Sequence, residues 1–299
     1  MSTAELTTAP DGGALAGAER APGGVRQWTR LLASELRLMF RRWRNLALLA
    51  VLVVLPVVLG IGLRVAGPNG GGGGGPDATF FAQLAGNGVF LAFIALTILL
   101  TLVLPLVMAV VSGDSIAGEA GAGTLRYLLT VPAGRTRLLS VKYVAVVIFG
   151  LVSCLLVTAV ALIMGVILFP VGPVTLLSGT TVPLGVGLLH LLYVTLYVAA
   201  AMAALGAIGL AISTLTEHPI GAIAAVLVLA VASEVADQVS QFAVIHPYLP
   251  THFWLSFDSL LRVPIDTASL LHGLLSFAVY IVIFCSIAWA RFASADVTS

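Results

Sequence analysis

The sequence predicts an all-α integral membrane protein with six transmembrane helices, on the evidence of its composition, its apolar runs and the placement of its charges. Of its 299 residues, 60% are hydrophobic and 9% are charged, and the mean hydropathy is +1.11. A soluble globular domain carries roughly 25% charged residues, so this chain lacks the charge to cover a water-facing surface. The composition therefore excludes a soluble enzyme, a nucleic-acid binder and a disordered protein.

Six apolar runs are long enough to cross a bilayer, which requires about 20 apolar residues in a helix. The predicted spans are residues 46–66, 84–111, 139–169, 183–213, 219–241 and 270–290. The second, third and fourth exceed the minimum length, so we expect them to tilt or to extend beyond the lipid. Together they define a transmembrane domain over residues 46–292, followed by a cytoplasmic tail over residues 293–299.

The basic residues predict the orientation of the chain. It contains 14 Lys and Arg residues, of which Lys142 is the only lysine. An even number of spans places both termini on one side, and 12 of the 14 basic residues then share that side, leaving only Arg64 and Arg262 on the other. Because basic residues concentrate in cytoplasmic connections, we expect both termini to be cytoplasmic.

The segment before the first span divides into two parts. Residues 1–25 are rich in Ala, Gly, Thr and Pro, which predicts a disordered tail. Residues 26–45 place aromatic and aliphatic side chains on one helical face and arginines opposite, which predicts a helix lying in the membrane interface. Glu35 and Arg42 fall within or at the edge of the apolar arc. Either they extend from the edge into water, or this edge contacts another part of the protein or a partner.

The chain lacks the motif that would let it bind ATP by itself. A phosphate-binding loop ends in Gly-Lys followed by Ser or Thr, whereas Lys142 follows Val141. The glycine run Gly70–Gly75 lacks that ending and predicts a flexible linker. We expect no metal site, because His246 and His252 alone are a weak ligand set.

Two carboxylates near the end of the fifth span are candidates for a translocation path. Glu234 and Asp237 lie three residues apart and so share a helix face. Their charge is costly at membrane depth unless they face water, a cavity or a partner. Alternatively, the span ends near Ala232 and both carboxylates lie in the outer interface. Residues 242–269 are too polar to span and too apolar for a linker, which predicts a cap or re-entrant segment at the outer interface.

The chain resembles the type-2 family of ATP-binding cassette (ABC) transporter permeases from about residue 26 to its end. The resemblance depends on the order and spacing of several short motifs: Gly113-Asp114-x-x-x-Gly118-Glu119, Gly123-Thr124-Leu125, Leu128-Leu129, Pro132, Arg135 and Lys142, then Leu249-Pro250-Thr251-His252 with Trp254, and finally Arg291-Phe292-x-x-x-Asp296-Val297-x-Ser299. One departure is Ala120-Gly121-Ala122, where the family often has a charged run.

The resemblance implies a set of structural parts and partners. These are an elbow helix over residues 26–45, a coupling helix in the first cytoplasmic loop and a re-entrant hairpin before the last span. The family works as a dimer of permeases, here a homodimer or a heterodimer with a similar chain. The dimer binds two copies of a separate ATPase subunit, which would hold ATP and magnesium. The chain itself would be no enzyme, would contact membrane lipid and no nucleic acid, and would lie in the cytoplasmic membrane of a prokaryote.

The resemblance also assigns roles to individual residues. Glu35 and Arg42 are expected to make the contacts of the elbow helix, and the outer re-entrant segment contains Pro250, His252 and Trp254. The residues expected to couple the chain to the ATPase are Asp114, Glu119, Gly123, Thr124, Leu125, Arg126, Pro132 and Arg135.

We therefore predict the permease subunit of an ABC exporter, with a drug, a lipid or another small amphipathic molecule as the favoured substrate class. Two alternatives belong to other mechanistic classes. A secondary transporter driven by an ion gradient would favour an internal repeat and paired broken helices. An intramembrane enzyme would need a convergent catalytic set within the spans. Neither pattern is evident in the sequence.

Overall fold

The computed structural model describes residues 24–66, 87–121, 135–176 and 178–294, which are mainly helical. The α-helices are α1 (Gly24–Arg41), α2 (Trp43–Ala66), α3 (Phe90–Thr101), α4 (Val103–Gly121), α5 (Arg135–Leu168), α6 (Leu184–Leu215), α7 (Pro219–Gln238) and α8 (Thr267–Ser294). Strands β1 (Val174–Thr175) and β2 (Thr181–Val182) form a short antiparallel pair between α5 and α6. Three 3-10 helices, Ser240–Phe242, His246–Tyr248 and Ser256–Leu261, lie between α7 and α8.

Within the described ranges, six helices are long and apolar enough to cross a membrane. They are Trp43–Val65, Val103–Gly121, Thr136–Leu168, Leu184–Leu215, Pro219–Gln238 and Thr267–Phe292. Each overlaps one of the six runs predicted from hydropathy. The prediction of an all-α, multi-pass membrane protein is confirmed at this level.

Helix α6 lies at the centre of the bundle and packs against α4, α5, α7 and α8. Of the residues in its most apolar stretch, 78% are buried, compared with 17% of those in the corresponding stretches of α2 and α8. Small residues allow this close packing. A Cβ atom added at Gly209 would lie 1.9 Å from Ser112 Oγ of α4, and one at Gly206 would lie 2.8 Å from Val146 Cγ1 of α5. The small residues of this span therefore pack helices within the chain.

The second predicted span differs from the structure in its course and its end. We predicted one run over residues 84–111, of which 84–86 lie outside the described residues. The structure instead has a break at Leu102, where φ is −140°, between α3 and α4. Pro105 explains the break, because it has no N–H to donate to the carbonyl of Thr101. Helix α4 then continues to Gly121, so that Asp114 and Glu119 lie on a helix rather than in a polar connection.

Side-chain hydrogen bonds join α1, the start of α5 and the end of α8 at one end of the bundle, which we call the charged end. Trp289 Nε1 of α8 donates to Thr136 Oγ1 at 3.1 Å, and Trp28 Nε1 of α1 donates to Ser140 Oγ at 3.2 Å. Helix α1, the start of α5 and the end of α8 therefore lie together at the charged end. Since α5, α6, α7 and α8 alternate in direction, the β1–β2 pair and the 3-10 helices lie at the opposite end.

The amphipathic helix predicted over residues 26–45 ends earlier, at Arg41. Arg42 is not helical, and α2 begins at Trp43. Helical periodicity assumes one continuous axis, so the break changes the direction of the residues that follow it. The amphipathic pattern places Trp43 on the apolar face and Arg44 among the arginines opposite. In the structure Trp43 is 84% exposed, and Arg44 contacts Asp114 of α4.

Candidate functional site

A cleft at the charged end brings together five ionisable residues that the sequence singled out, namely Glu35, Arg42, Asp114, Glu119 and Lys142. It is lined by side chains of α1, α2, α4 and α5 and of the junction between α1 and α2, and its volume of about 470 Å³ includes space that is open to solvent. We call it the polar cleft. Its ionisable lining residues are Glu35, Arg42, Arg44, Asp114, Glu119 and Lys142.

Asp114 joins α4 to the junction between α1 and α2. Both Arg42 Nη1 and Arg44 Nη2 donate to its Oδ2 atom, with Arg44 at 2.7 Å. The carboxylate is buried, whereas the side chains of Arg42 and Arg44 are 49% and 45% exposed. Hydrogen bonds between arginine and carboxylate are among the strong ones in proteins. The contact therefore fixes the bend between α1 and α2 against α4.

Lys142 joins three helices from the interior of the polar cleft. Its side chain is 3% exposed, and its Nζ atom lies 2.5 Å from Glu119 Oε1 of α4 and 3.5 Å from Glu35 Oε1 of α1. A buried cation is tolerated when carboxylates surround it. The only lysine of the chain thus ties α5 to both α1 and α4.

The glycines of the Gly113-Asp114-x-x-x-Gly118-Glu119 motif make room for these contacts. A Cβ atom at Gly118 would lie 2.6 Å from Asp114 Oδ1, and one at Gly113 would lie 2.9 Å from the backbone nitrogen of Ile223 in α7. Larger residues at either position would displace the carboxylate or α7.

A buried hydroxyl fixes the same turn of α4 to α6. Ser213 Oγ donates to the carbonyl of Gly113 at 2.8 Å and accepts from the backbone N–H groups of Ile116 at 3.1 Å and Ala117 at 2.8 Å. The residues on either side of Asp114 are therefore held by α6. No pattern in the sequence pointed to Ser213, because a single serine in an apolar helix is unremarkable without its partner.

The structure decides between the two explanations offered for Glu35 and Arg42. Both contact another part of the protein, since Glu35 pairs with Lys142 and Arg42 pairs with Asp114.

No pattern in the sequence indicated Asn45. It is buried at the start of α2, lines the polar cleft and donates from Nδ2 to the carbonyl of Met39 at 2.9 Å.

The structure describes little of the other residues that are predicted to couple the chain to an ATPase. Gly123, Thr124, Leu125, Arg126 and Pro132 lie outside the described residues. Arg135 begins α5, and nothing is described of its side chain. Their assignment to an ATPase contact stays a prediction.

A second polar cluster lies at the opposite end of the bundle, where α7 ends. Asp237 Oδ1 lies 2.6 Å from His252 Nδ1 and 3.9 Å from His246 Nδ1. Glu234 is partly buried one turn earlier. Among the described residues, no group of three or more His, Cys, Asp or Glu side chains is arranged to hold a metal ion.

Hydrogen bonds fix the segment between α7 and α8 to the bundle. The hydroxyls of Ser233 and Thr251 lie 2.8 Å apart in a buried contact, and Tyr197 of α6 donates to the carbonyl of Phe253 at 2.8 Å. Trp254 is buried beside them. Pro250 lies in the same stretch, just after the 3-10 helix His246–Tyr248, and the described segment contains 3-10 turns rather than two α-helices.

The model of a family described as "Protein of unknown function (DUF2705)" matches residues 77–298, which is most of the chain. A comparison with curated proteins gives no match.

Proposed function

The chain belongs to the DUF2705 family of proteins of unknown function, and we propose that it is the permease subunit of an ABC exporter of the type-2 kind. The observation that carries the proposal is the attachment of α1 to the two helices that flank residues 122–134. Glu35 reaches Lys142 of α5, and Arg42 reaches Asp114 of α4. In this proposal α1 is the elbow helix, and residues 122–134 contain the coupling helix.

The ion pairs of the polar cleft could transmit a movement of residues 122–134 to the helices that span the membrane. Residues 122–134 join the end of α4 to the start of α5, and Glu119 and Lys142 pair across those two helices at 2.5 Å. Coupling between sites travels through packed elements and ion-pair networks. A displacement of the connection by an ATPase would therefore move α4, α5 and α1 together.

The distribution of basic residues supports a cytoplasmic charged end. Arg26, Arg30, Arg37 and Arg41 lie on α1, and Arg291 lies near the end of α8. Among the residues that the structure describes, only Arg64 and Arg262 of the basic residues lie towards the opposite end. Basic residues concentrate on the cytoplasmic side of membrane proteins. Both termini would then be cytoplasmic, in the inner membrane of a prokaryote.

The partners are those that the resemblance to type-2 ABC permeases implies, and the sequence itself contains no phosphate-binding motif. ATP and magnesium would bind to two copies of a separate ATPase subunit, and a second permease copy, identical or similar, would complete the transporter. Glu234 and Asp237 would line the translocation path. The re-entrant part, predicted over residues 242–269, would be the segment between α7 and α8, which the structure gives as residues 239–266. The favoured substrates are drugs, lipids and other small amphipathic molecules.

A secondary transporter is the alternative with one observation in its favour, the broken helix at Leu102. Such folds place a second broken helix at a corresponding position in the other half. Helices α5, α6, α7 and α8 run without interruption, which favours the ABC permease.

The coupling assignment is tested by co-purifying the full chain with an ATPase encoded beside its gene. The double variant Asp114→Asn with Glu119→Gln should retain less ATPase or lose substrate-stimulated ATP hydrolysis. Arg126→Glu tests the connection directly, without removing an ion pair of the polar cleft. The control is Asp258→Asn at the opposite end. Normal assembly and normal transport in both test variants would show that the assignment is wrong.

The translocation path is tested by the double variant Glu234→Gln with Asp237→Asn in the assembled complex. We expect substrate export to fall while ATP hydrolysis continues, because the charges of the path are removed and the coupling elements are not. Glu217→Gln is the control, because Glu217 is an exposed carboxylate just before the start of α7, at the other end of that helix. Unchanged export by the double variant would refute the role of these carboxylates.

A further inference from the structure

We propose that the polar cleft binds the headgroup of a zwitterionic phospholipid that carries a primary ammonium group, as in phosphatidylethanolamine. This ligand would be a bound lipid and not the transported substrate. The inference depends on the cleft itself and goes beyond the proposed transport function.

The first observation is the position of the cleft. It lies where the amphipathic helix α1 meets α2, the first helix long enough to cross the membrane. Leu38 lines the cleft and is exposed, and Trp43 and Leu46 nearby are exposed as well. Amphipathic helices lie among lipid headgroups, and tryptophan is enriched at that depth. The mouth of the cleft is therefore at the level of the headgroups.

The second observation is the separation of charge within the cleft. At the exposed rim, Arg42 and Arg44 share a single carboxylate, Asp114. In the interior, Lys142 is shared by two carboxylates, Glu35 and Glu119. The ionisable lining is neutral in sum, but the rim has an excess of positive charge and the interior an excess of negative charge.

This charge pattern matches a zwitterion better than a simple ion. The planar guanidinium groups at the rim suit the oxygens of a phosphate. An ammonium group directed inward would meet the carboxylates. A simple anion would be attracted by the rim and repelled by the interior, and a simple cation would meet the opposite difficulty.

The third observation distinguishes a primary ammonium from a quaternary one. Asn45 lines the cleft and is 3% exposed, and its buried Oδ1 atom accepts no hydrogen bond from any described residue. Buried polar atoms nearly always have a partner. A primary ammonium can donate such a hydrogen bond, whereas the trimethylammonium of a choline lipid has no N–H group. Asn45 therefore favours ethanolamine over choline.

The proposal is tested by native mass spectrometry of the full chain in detergent. Phosphatidylethanolamine, phosphatidylcholine and phosphatidylglycerol with identical acyl chains are titrated separately. We expect the ethanolamine lipid to bind about tenfold more tightly than the choline lipid, which corresponds to about 1.4 kcal/mol. Equal binding of these two lipids to the unmodified chain would overturn the proposal, whatever the behaviour of any variant.

Two substitutions locate the binding in the cleft. Arg44→Gln should weaken all three phospholipids, and Asn45→Leu should remove the preference for ethanolamine over choline. Arg41→Gln is the matched control, because Arg41 is an exposed arginine of α1 that does not line the cleft. If Arg41→Gln weakens binding as much as Arg44→Gln, the attraction is a general effect of positive charge and the site is refuted.

A soluble competitor distinguishes a lipid from a free phosphoester. Glycerophosphoethanolamine carries the same headgroup without acyl chains. We expect it to displace the bound lipid only at concentrations at least a hundredfold above that of the lipid. Displacement at a comparable concentration would assign the cleft to a soluble ligand and would overturn the lipid assignment.

Discussion

Replacing Lys142 with methionine tests whether the ion pairs of the polar cleft hold α1, α4 and α5 together. Methionine keeps the unbranched shape but removes the charge, which leaves Glu119 and Glu35 without the cation between them. Removing one partner of a buried ion pair costs about 3–5 kcal/mol. Because Glu35 and Glu119 remain 19% and 15% exposed, water relieves part of the repulsion. We expect a loss of about 3 kcal/mol.

The measurement is the unfolding free energy of the full chain in a mild detergent, followed by circular dichroism. Adding Glu119→Gln to Lys142→Met should restore part of the loss, because the double variant no longer leaves that carboxylate buried beside a missing cation. The control is Arg262→Met, which breaks an exposed pair with Asp258 and should cost less than about 1 kcal/mol. A loss below about 1 kcal/mol for Lys142→Met, or no recovery in the double variant, would refute the reasoning.

Two further predictions concern the packing of helices, one at the site and one at the opposite end of the bundle, and both are measured by the same unfolding experiment. Ser213→Ala should cost about 1–3 kcal/mol, since it removes a buried hydroxyl that bonds three backbone groups of α4. Ser286→Ala should have little effect, because its exposed hydroxyl bonds only within its own helix, α8. Equal losses for the two variants would contradict the bridging role of Ser213. Gly165→Ala should cost about 1–3 kcal/mol, because its Cβ atom would lie 2.0 Å from the carbonyl oxygen of Gly88. Gly185→Ala, which meets nothing within 4 Å, is its control, and a neutral Gly165→Ala would show that the contact relaxes freely.

The sequence predicted the class of fold and the number of candidate spans, because hydropathy over about 20 residues is a local property. The course of α3 and α4 depends on more than hydropathy. Pro105 interrupts the helix within an apolar run, and α4 continues through Asp114 because Arg42 and Arg44 neutralise that carboxylate. A window of local hydropathy contains no information on partners about 70 residues away.

The sequence indicated several residues of the polar cleft but not which of them pair with one another. Glu35 and Arg42 stood out because they interrupted an amphipathic pattern, and Asp114 and Glu119 because they belong to a motif. Their pairing could not be derived, since the partners of Glu35 and Arg42 lie 107 and 72 residues away along the chain. Asn45 showed no signal, because one polar residue at the start of an apolar helix acquires meaning only from what surrounds it.

Asp114 is the residue at which lipid binding and helix coupling meet. Asp114 accepts from both Arg42 and Arg44, so a phosphate that engages one guanidinium leaves the other to hold the junction between α1 and α2 against α4. Lipid binding would then preserve the tie between the helices and reduce the excess positive charge at the rim. Coupling free energies are reciprocal. If a bound headgroup stabilises the arrangement of α1, α4 and α5 that an ATPase recognises, then binding of the ATPase must raise the affinity of the cleft for the lipid by the same factor.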